Sequence, residues 1–160
     1  MKQFFYLISI LLIINACKEV YEPPPRSLVN GMFFSVVDTG KIHTRMEKAI
    51  SPSIIAQGVG LDNYLLNDSV SSNILLPLTI KDTTRYIIWL DTHSDSITFI
   101  HQTTQKFNSL ETGFYYEYKL RAIRFTHNRI DSIKIVDSLV TTKWNENIKL
   151  YIHPLSTGGN

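Results

Sequence analysis

Cysteine is nearly absent from this chain: one, Cys17, in 160 residues. A lone thiol cannot close an internal disulfide, so the fold must be held by its core rather than by covalent staples. Charge of either sign is also scarce, at 19% of residues, and the formal net charge of +2 includes Lys2. So small an excess offers no electrostatic grip on a phosphate backbone, which excludes nucleic acid as a partner. Long apolar runs are missing too. The longest apolar stretch, residues 4–14, has eleven residues, whereas a membrane-spanning helix needs about 20. There is no Gly-x-Ser-x-Gly elbow and no His-Glu-x-x-His helix. With no catalytic constellation to point to, the expectation is a protein that is not an enzyme and uses no cofactor or metal.

What is present begins at the N-terminus. Met1-Lys2-Gln3 is followed by the short apolar stretch and then by Asn15-Ala16-Cys17. A positive end, a short apolar run and a small residue before a cut site form the secretory pattern. Ile14-Asn15-Ala16-Cys17 resembles a lipobox (aliphatic, variable, small, Cys), with Asn15 departing from the usual small or aliphatic choice. The chemistry needs a small residue before the cut and then a thiol that takes a diacylglyceryl group. Two or three acyl chains on Cys17, at about 0.8 kcal/mol per buried CH₂, hold a protein firmly on a bilayer where one holds it marginally. The expected division is a signal peptide over residues 1–16, the lipidated Cys17 with a Pro-rich tether over 17–27, and one domain over 28–160. In the tether, Pro23-Pro24-Pro25 favours polyproline II, a semi-rigid spacer. Lys18-Glu19 and Glu22 are a thin version of the surface-export signal of Bacteroidota lipoproteins. They leave the leaflet and the face of the membrane open.

The domain is rich in strand formers, with eight Tyr and eight Phe besides many Ile, Thr and Val. Ile74, Leu76, Leu78 and Ile80 share one parity, and Pro77, which has no N–H to donate, places that strand at an edge. Ile148, Leu150 and Ile152 face one way, with Lys149 and Tyr151 opposite. Residues 85–90 and 96–101 form two strands joined by the polar turn Asp91-Thr92-His93-Ser94-Asp95, and residues 31–38 form another. Along 114–126, Phe114, Tyr116, Tyr118 and Leu120 share a parity that then switches to Ile123 and Phe125. A one-residue slip flips every side chain, so a β-bulge or sheet crossing is expected near Ala122. Ile133 and Ile135, with Leu139 further on, suggest a further strand. Residues 44–50 hint at a helical turn, and 51–72 read as a loop with one short strand. Seven or eight strands with turn-rich links point to an all-β, antiparallel two-sheet sandwich. Thr92-His93 before Asp95-Ser96-Ile97 echoes Thr126-His127 before Asp131-Ser132-Ile133, read as two similar turns and not as a duplication.

From Leu76-Pro77-Leu78, through the 84–90 strand, the 107–113 segment ending in Gly113, residues 127–133 and the final Asn147-Ile148-Lys149-Leu150-Tyr151-Ile152, the order of pieces resembles a family of uncharacterised Bacteroidota lipoproteins that carry a domain of unknown function. The resemblance covers about half the chain. Many relatives carry Cys-Gly where this chain has Thr112-Gly113, so a disulfide implied by the family is absent. The resemblance implies a β-rich domain at the envelope and assigns no activity.

Five groups of residues call for weighing. Asp91, His93 and Asp95 are spaced as metal ligands on an extended strand would be, but they fall in a turn, where Asp and Ser serve turn chemistry. His43, Arg45 and Glu47 alternate without a nucleophile and read as a solvated face. Gly58-Val59-Gly60 lacks the third glycine of a dinucleotide site and reads as a turn. Tyr115, beside Glu117, Lys119 and Arg121, could with Tyr151 and Trp144 stack on a sugar or peptide, yet aromatics commonly cover exposed sheet without a ligand. Finally, Asp-Ser/Thr pairs recur before an apolar residue or Thr at Ser69, Thr83, Ser96, Ser132 and Ser138. This resembles the Bacteroidota O-glycosylation acceptor, with Ser69 favoured because it falls in the least structured loop; the same pattern also ends a turn and starts a strand.

These readings favour a lipid-anchored cell-envelope module, at the outer membrane, that binds an envelope protein partner without catalysis. The alternative is a glycan- or peptide-binding lipoprotein, and a hydrolase with an unrecognised site is third. An exposed apolar patch favours the first, a concave aromatic cleft the second, and a pocket of perturbed carboxylates or histidines the third.

Overall fold

The computed structural model describes residues 23–38 and 45–153, without the side chains of residues 37, 38 and 45. Eleven strands in two sheets make up this part of the chain, and among the described residues there is no helix. The sandwich expected from the alternation is present, with more strands than seven or eight.

The first sheet is built around β1 (Leu28–Asp38). On one side β1 pairs in parallel with β11 (Ile148–Ile152), which pairs antiparallel with β9 (Ile130–Ile135). β1 also takes two short antiparallel partners, β5 (Asn73–Pro77) along Leu28 to Met32 and β2 (Arg45–Ala49) along Phe34 to Asp38. The parallel pair departs from the antiparallel expectation, because no periodicity reports which strands meet. The other sheet is antiparallel throughout, in the order β10 (Leu139–Val140), β8 (Gly113–Phe125), β7 (His93–Ser109), β6 (Thr83–Leu90), β3 (Ser53–Gly58), β4 (Tyr64–Val70).

The inward parities meet between the sheets. Val29, Phe33, Ile74, Leu76, Ile130, Ile148, Leu150 and Ile152 come from the first sheet. Ile54, Ile88, Leu90, Ile97, Phe99 and Leu120 come from the other. Each such side chain contributes about 1.5–3 kcal/mol on burial. Gly31 lies on the inward parity between Val29 and Phe33, where a Cβ would come within 2.7 Å of Leu150 Cδ1 and 3.0 Å of Ile148 Cγ1. The neighbouring strand fills the space that a side chain there would need.

Two local expectations hold. Pro77 ends β5, which among the described residues pairs with β1 alone, so β5 is an edge strand. In the β7–β8 ladder Ile100 pairs with Ala122 but His101 with Leu120, leaving Arg121 as the extra residue of a bulge. That bulge carries the parity switch from Tyr118 and Leu120, which are buried, to Ile123 and Phe125, which pack against the core further on.

Others are corrected. Residues 45–49 form β2, not a helical turn, because β1 offers a free edge whose hydrogen-bonding groups need partners. Residues 51–72 hold two strands, β3 and β4, rather than a loop with one. Ile80 lies beyond the end of β5 and is 63% exposed, so it leaves the face that its parity suggests. The β6–β7 turn is tighter than five residues, since Leu90 pairs directly with His93 and Asp91 takes the left-handed conformation with φ of 56°. Leu139 does not continue the strand of Ile133. The chain changes sheet between β9 and β10, and the buried Asn147 holds that corner. Its Nδ2 donates to the carbonyls of Asp137 (3.2 Å) and Leu139 (2.9 Å), and its Oδ1 accepts from Asn30 N (3.0 Å).

Candidate functional site

A groove of about 630 Å³ lies at one end of the sandwich. One wall is the β3–β4 turn, with Val59 and Leu61 and the first part of β4 at Leu65; the other is the β5–β6 connection, with Leu78 and Ile80. Val59 is 53% exposed, Leu61 53% and Leu65 39%. The tight turn that presents them needs Gly60, at φ of +90°, and Gly58, where a Cβ would meet Leu61 Cδ1 at 2.8 Å. Leu61 N donates to Gly58 O (3.0 Å) and Gln57 Nε2 to Leu61 O (2.8 Å), closing the turn. Gly58-Val59-Gly60 is therefore a turn, as its composition suggests. The charged side chains lining the groove are Lys81 and Arg85, both cationic.

The opposite wall is fixed from beneath. Tyr86 OH donates to Pro77 O, and Tyr118 OH to Leu78 O at 3.0 Å. Burial raises the pKa of both phenols, so they remain donors. Behind the wall, Thr79 N donates to Thr84 Oγ1 (2.9 Å), which also lies 3.0 Å from His101 Nε2. A hydroxyl beside an imidazole has the form of a nucleophile and base. Here Thr84 is buried and already engaged with Thr79, His101 is buried edge-on to Tyr118 at 5.2 Å, and the pair ties the 79–84 turn to β7. Burial, partly offset by Asp82, pushes the His101 pKa down and so favours the uncharged ring. Sequence reasoning misses Thr84 and His101, because only the β6–β7 pairing brings them together.

The residues singled out in the sequence are placed elsewhere. Asp91 and Asp95 are structural acceptors. Asp95 is buried and accepts from Thr126 Oγ1 (2.6 Å), Asn128 N (2.8 Å), Arg129 N (2.7 Å) and Ile130 N (2.9 Å). Asp91 accepts from Ser53 N (3.1 Å) and pairs with Arg129 at 2.9 Å, while His93 is exposed. Among the described residues no cluster of His, Cys, Asp and Glu could hold a metal. The two echoing turns at 92–95 and 126–131 thus bond to one another. Glu47 is exposed and joins Lys149 Nζ (2.7 Å) and Tyr151 OH (2.7 Å), clamping β2 to β11 across β1. The hydrogen bond from Lys149 and then that from Tyr151 hold the Glu47 carboxyl below its ordinary pKa, and the Lys149 ammonium is raised in return. Arg45 begins β2, and His43 lies outside the described residues.

The aromatic set is not gathered. Tyr115 is on β8, Tyr151 on β11 in the other sheet, and Trp144, 69% exposed, in the link before β11. Of the hydroxyl residues after Asp, Ser69 lies within edge strand β4 and not in a loop, and is half-buried. Thr83 opens β6 and Ser132 lies in β9, both exposed; Ser96 and Ser138 are half-buried. Their Asp neighbours carry turn and strand-end bonds, such as Asp68 Oδ1 to Ser53 Oγ (2.6 Å) and Asp137 Oδ1 to Leu139 N (2.9 Å). Cys17 and the signal-like segment lie outside the described residues. Among the described residues no helix is long and apolar enough to cross a membrane.

A smaller hollow of about 320 Å³ lies across Pro77 and Leu78 from the groove. Pro24 and Pro25 line it together with Phe114, Tyr115 and Tyr116, and Ser27 beside them is buried. The last residues before β1 therefore lie against the domain.

A family model described as a family of unknown function (DUF6452) matches residues 53–152, from the first residue of β3 to the last of β11. No curated protein and no solved structure matches the chain.

Proposed function

We propose, from the premise that the chain belongs to the DUF6452 family of unknown function, that it is a lipid-anchored, non-catalytic interaction module of the cell envelope. Cys17 is the anchor, an outer membrane of the Bacteroidota type is the location, and the apolar groove is the docking face. The observation that carries the docking part is the groove itself. Val59, Leu61, Leu65 and Ile80, from two separate segments, expose carbon into one hollow. Clustered exposed apolar side chains with a polar rim mark interaction sites. With only Lys81 and Arg85 charged along it, the groove suits an apolar segment of an envelope protein flanked by acidic residues. The anchor rests on the sequence alone: the small residue before the sole cysteine, after an apolar stretch too short to span a membrane. The Asp-hydroxyl motifs add O-glycosylation to the proposal, and Thr83 and Ser132, the two exposed acceptors, fit it better than Ser69.

Two experiments test this reading. Cys17→Ser should lose its acyl mass and leave the membrane fraction, and a variant that still sediments with membranes removes the anchor. A photo-crosslinking side chain at Ile80, introduced in the native host, should give one partner adduct that Leu61→Glu abolishes. Adducts equally abundant from a probe at Ser132, on the other sheet, would remove the docking face.

A further inference from the structure

We propose that the tip of the β7–β8 hairpin is an additional membrane contact, which rests the domain on the same bilayer that holds Cys17; this inference depends on the anchored reading above. β6 stops accompanying β7 at the pair Thr83 with Ile100, and β10 covers only Tyr118 and Lys119 of β8. Residues 104–117 therefore pair only with each other among the described residues, and beyond Tyr116, which still packs against the core, and its partner Gln105 the ribbon runs on for about 15 Å at 3.3 Å per residue. Such ribbons are marginally stable alone and gain only modestly from a cross-strand aromatic pair. Yet the tip exposes Phe107 (57%), Leu110 (95%) and Phe114 (55%), the two rings edge to face at 5.4 Å.

The occupant follows from where the chain enters. Pro24 and Pro25 share a hollow with Phe114, Tyr115 and Tyr116 at the base of this tip. Pro24 is seven residue-to-residue steps from Cys17, at most about 25 Å of chain whatever its path. An acylated Cys17 thus holds the bilayer within reach of the ribbon. The opposite end of β7, at His93, lies twelve residues from Gln105, the partner of Tyr116 beside Pro24, about 40 Å at 3.3 Å per residue and beyond that reach. Charge is nearly balanced here, with Lys106 paired to Glu117 at 3.8 Å and Glu111 in the turn. The contact is apolar and not electrostatic, with Phe107, Leu110 and Phe114 entering the acyl boundary and Tyr115 at headgroup level, where amphipathic rings gather.

The test uses the full lipidated protein, purified from an acylating host and reconstituted into phosphatidylethanolamine–phosphatidylglycerol vesicles. With Cys17 acylated, Leu110→Cys and Thr92→Cys each supply one reactive thiol for an environment-sensitive dye. The Leu110 probe should shift to the blue and be quenched by bromine-labelled lipid several-fold more than the Thr92 probe, with little change at high salt. If the protein co-floats with vesicles while the Leu110 probe stays as wet as the Thr92 probe, the tip contact is wrong and the anchor stands. If the protein does not co-float, the anchored reading fails and this inference with it. If the Leu110 probe shifts without lipid and with protein concentration, the tip binds another protein copy, which overturns the membrane contact.

Discussion

The two ends of β7 are made of opposite materials. At its start, Asp95 is buried under four donated hydrogen bonds and Asp91 is held by Arg129 and Ser53 N. At its finish, Phe107 and its partner Phe114 hold carbon out to water. The starting end has the charged residues at which a search for chemistry stops, and they are occupied in closing turns. The finishing end is ordinary in composition, and among the described residues its two rings, which touch one another, and Leu110 stay largely exposed. Polar groups that satisfy one another argue for structure, whereas exposed apolar groups that nothing covers argue for a contact still to be made.

The comparison can be broken at its strongest point first. Asp95→Ala leaves three backbone N–H groups and the Thr126 hydroxyl without their acceptor and should cost about 3–5 kcal/mol in urea denaturation, with Asp95→Asn costing less. Tyr118→Phe removes the buried bond to Leu78 O and should cost about 1–2 kcal/mol by the same measurement. His101 sharpens the contrast through pH. Burial lowers its pKa in the folded state below the ordinary value of about 6.5, so the unfolded chain takes the proton first. The contribution of His101 to stability is complete above about pH 7 and is lost as pH falls through about 6.5 toward the lowered folded value. Replacing it by Gln should flatten that part of the stability–pH curve. At the other end, Leu110→Ser should change stability by no more than about 0.5 kcal/mol, because the side chain is 95% exposed. A large loss there would mean the tip is part of the core.

Legibility in the sequence divides along similar lines. Ile148, Leu150 and Ile152 announce a strand by alternation, Pro77 announces an edge, and the parity change after Leu120 announces the bulge at Arg121. Those signals are local, and the sheet answers them locally. β2 carries the sequence Arg-Met-Glu-Lys-Ala and pairs only because β1 lies beside it. β4 bends through Asp68, at φ of 49°, and exposes most of its side chains. Neither has an inward parity to read. The groove is illegible for the same reason, since Leu61 and Ile80 belong to segments that meet only after the sheets form. Phe114, which shares a parity with the buried Tyr118, ends up exposed because β8 outruns the sandwich.

The proposed anchor and tip contact both depend on where the mature chain begins and what it carries, so mass analysis of the N-terminal peptide from protein isolated from its own membranes is the most direct measurement. The peptide should start at Cys17 and carry a diacylglyceryl group. A different first residue, or Cys17 bare of lipid, would contradict both the anchor and the membrane-resting tip.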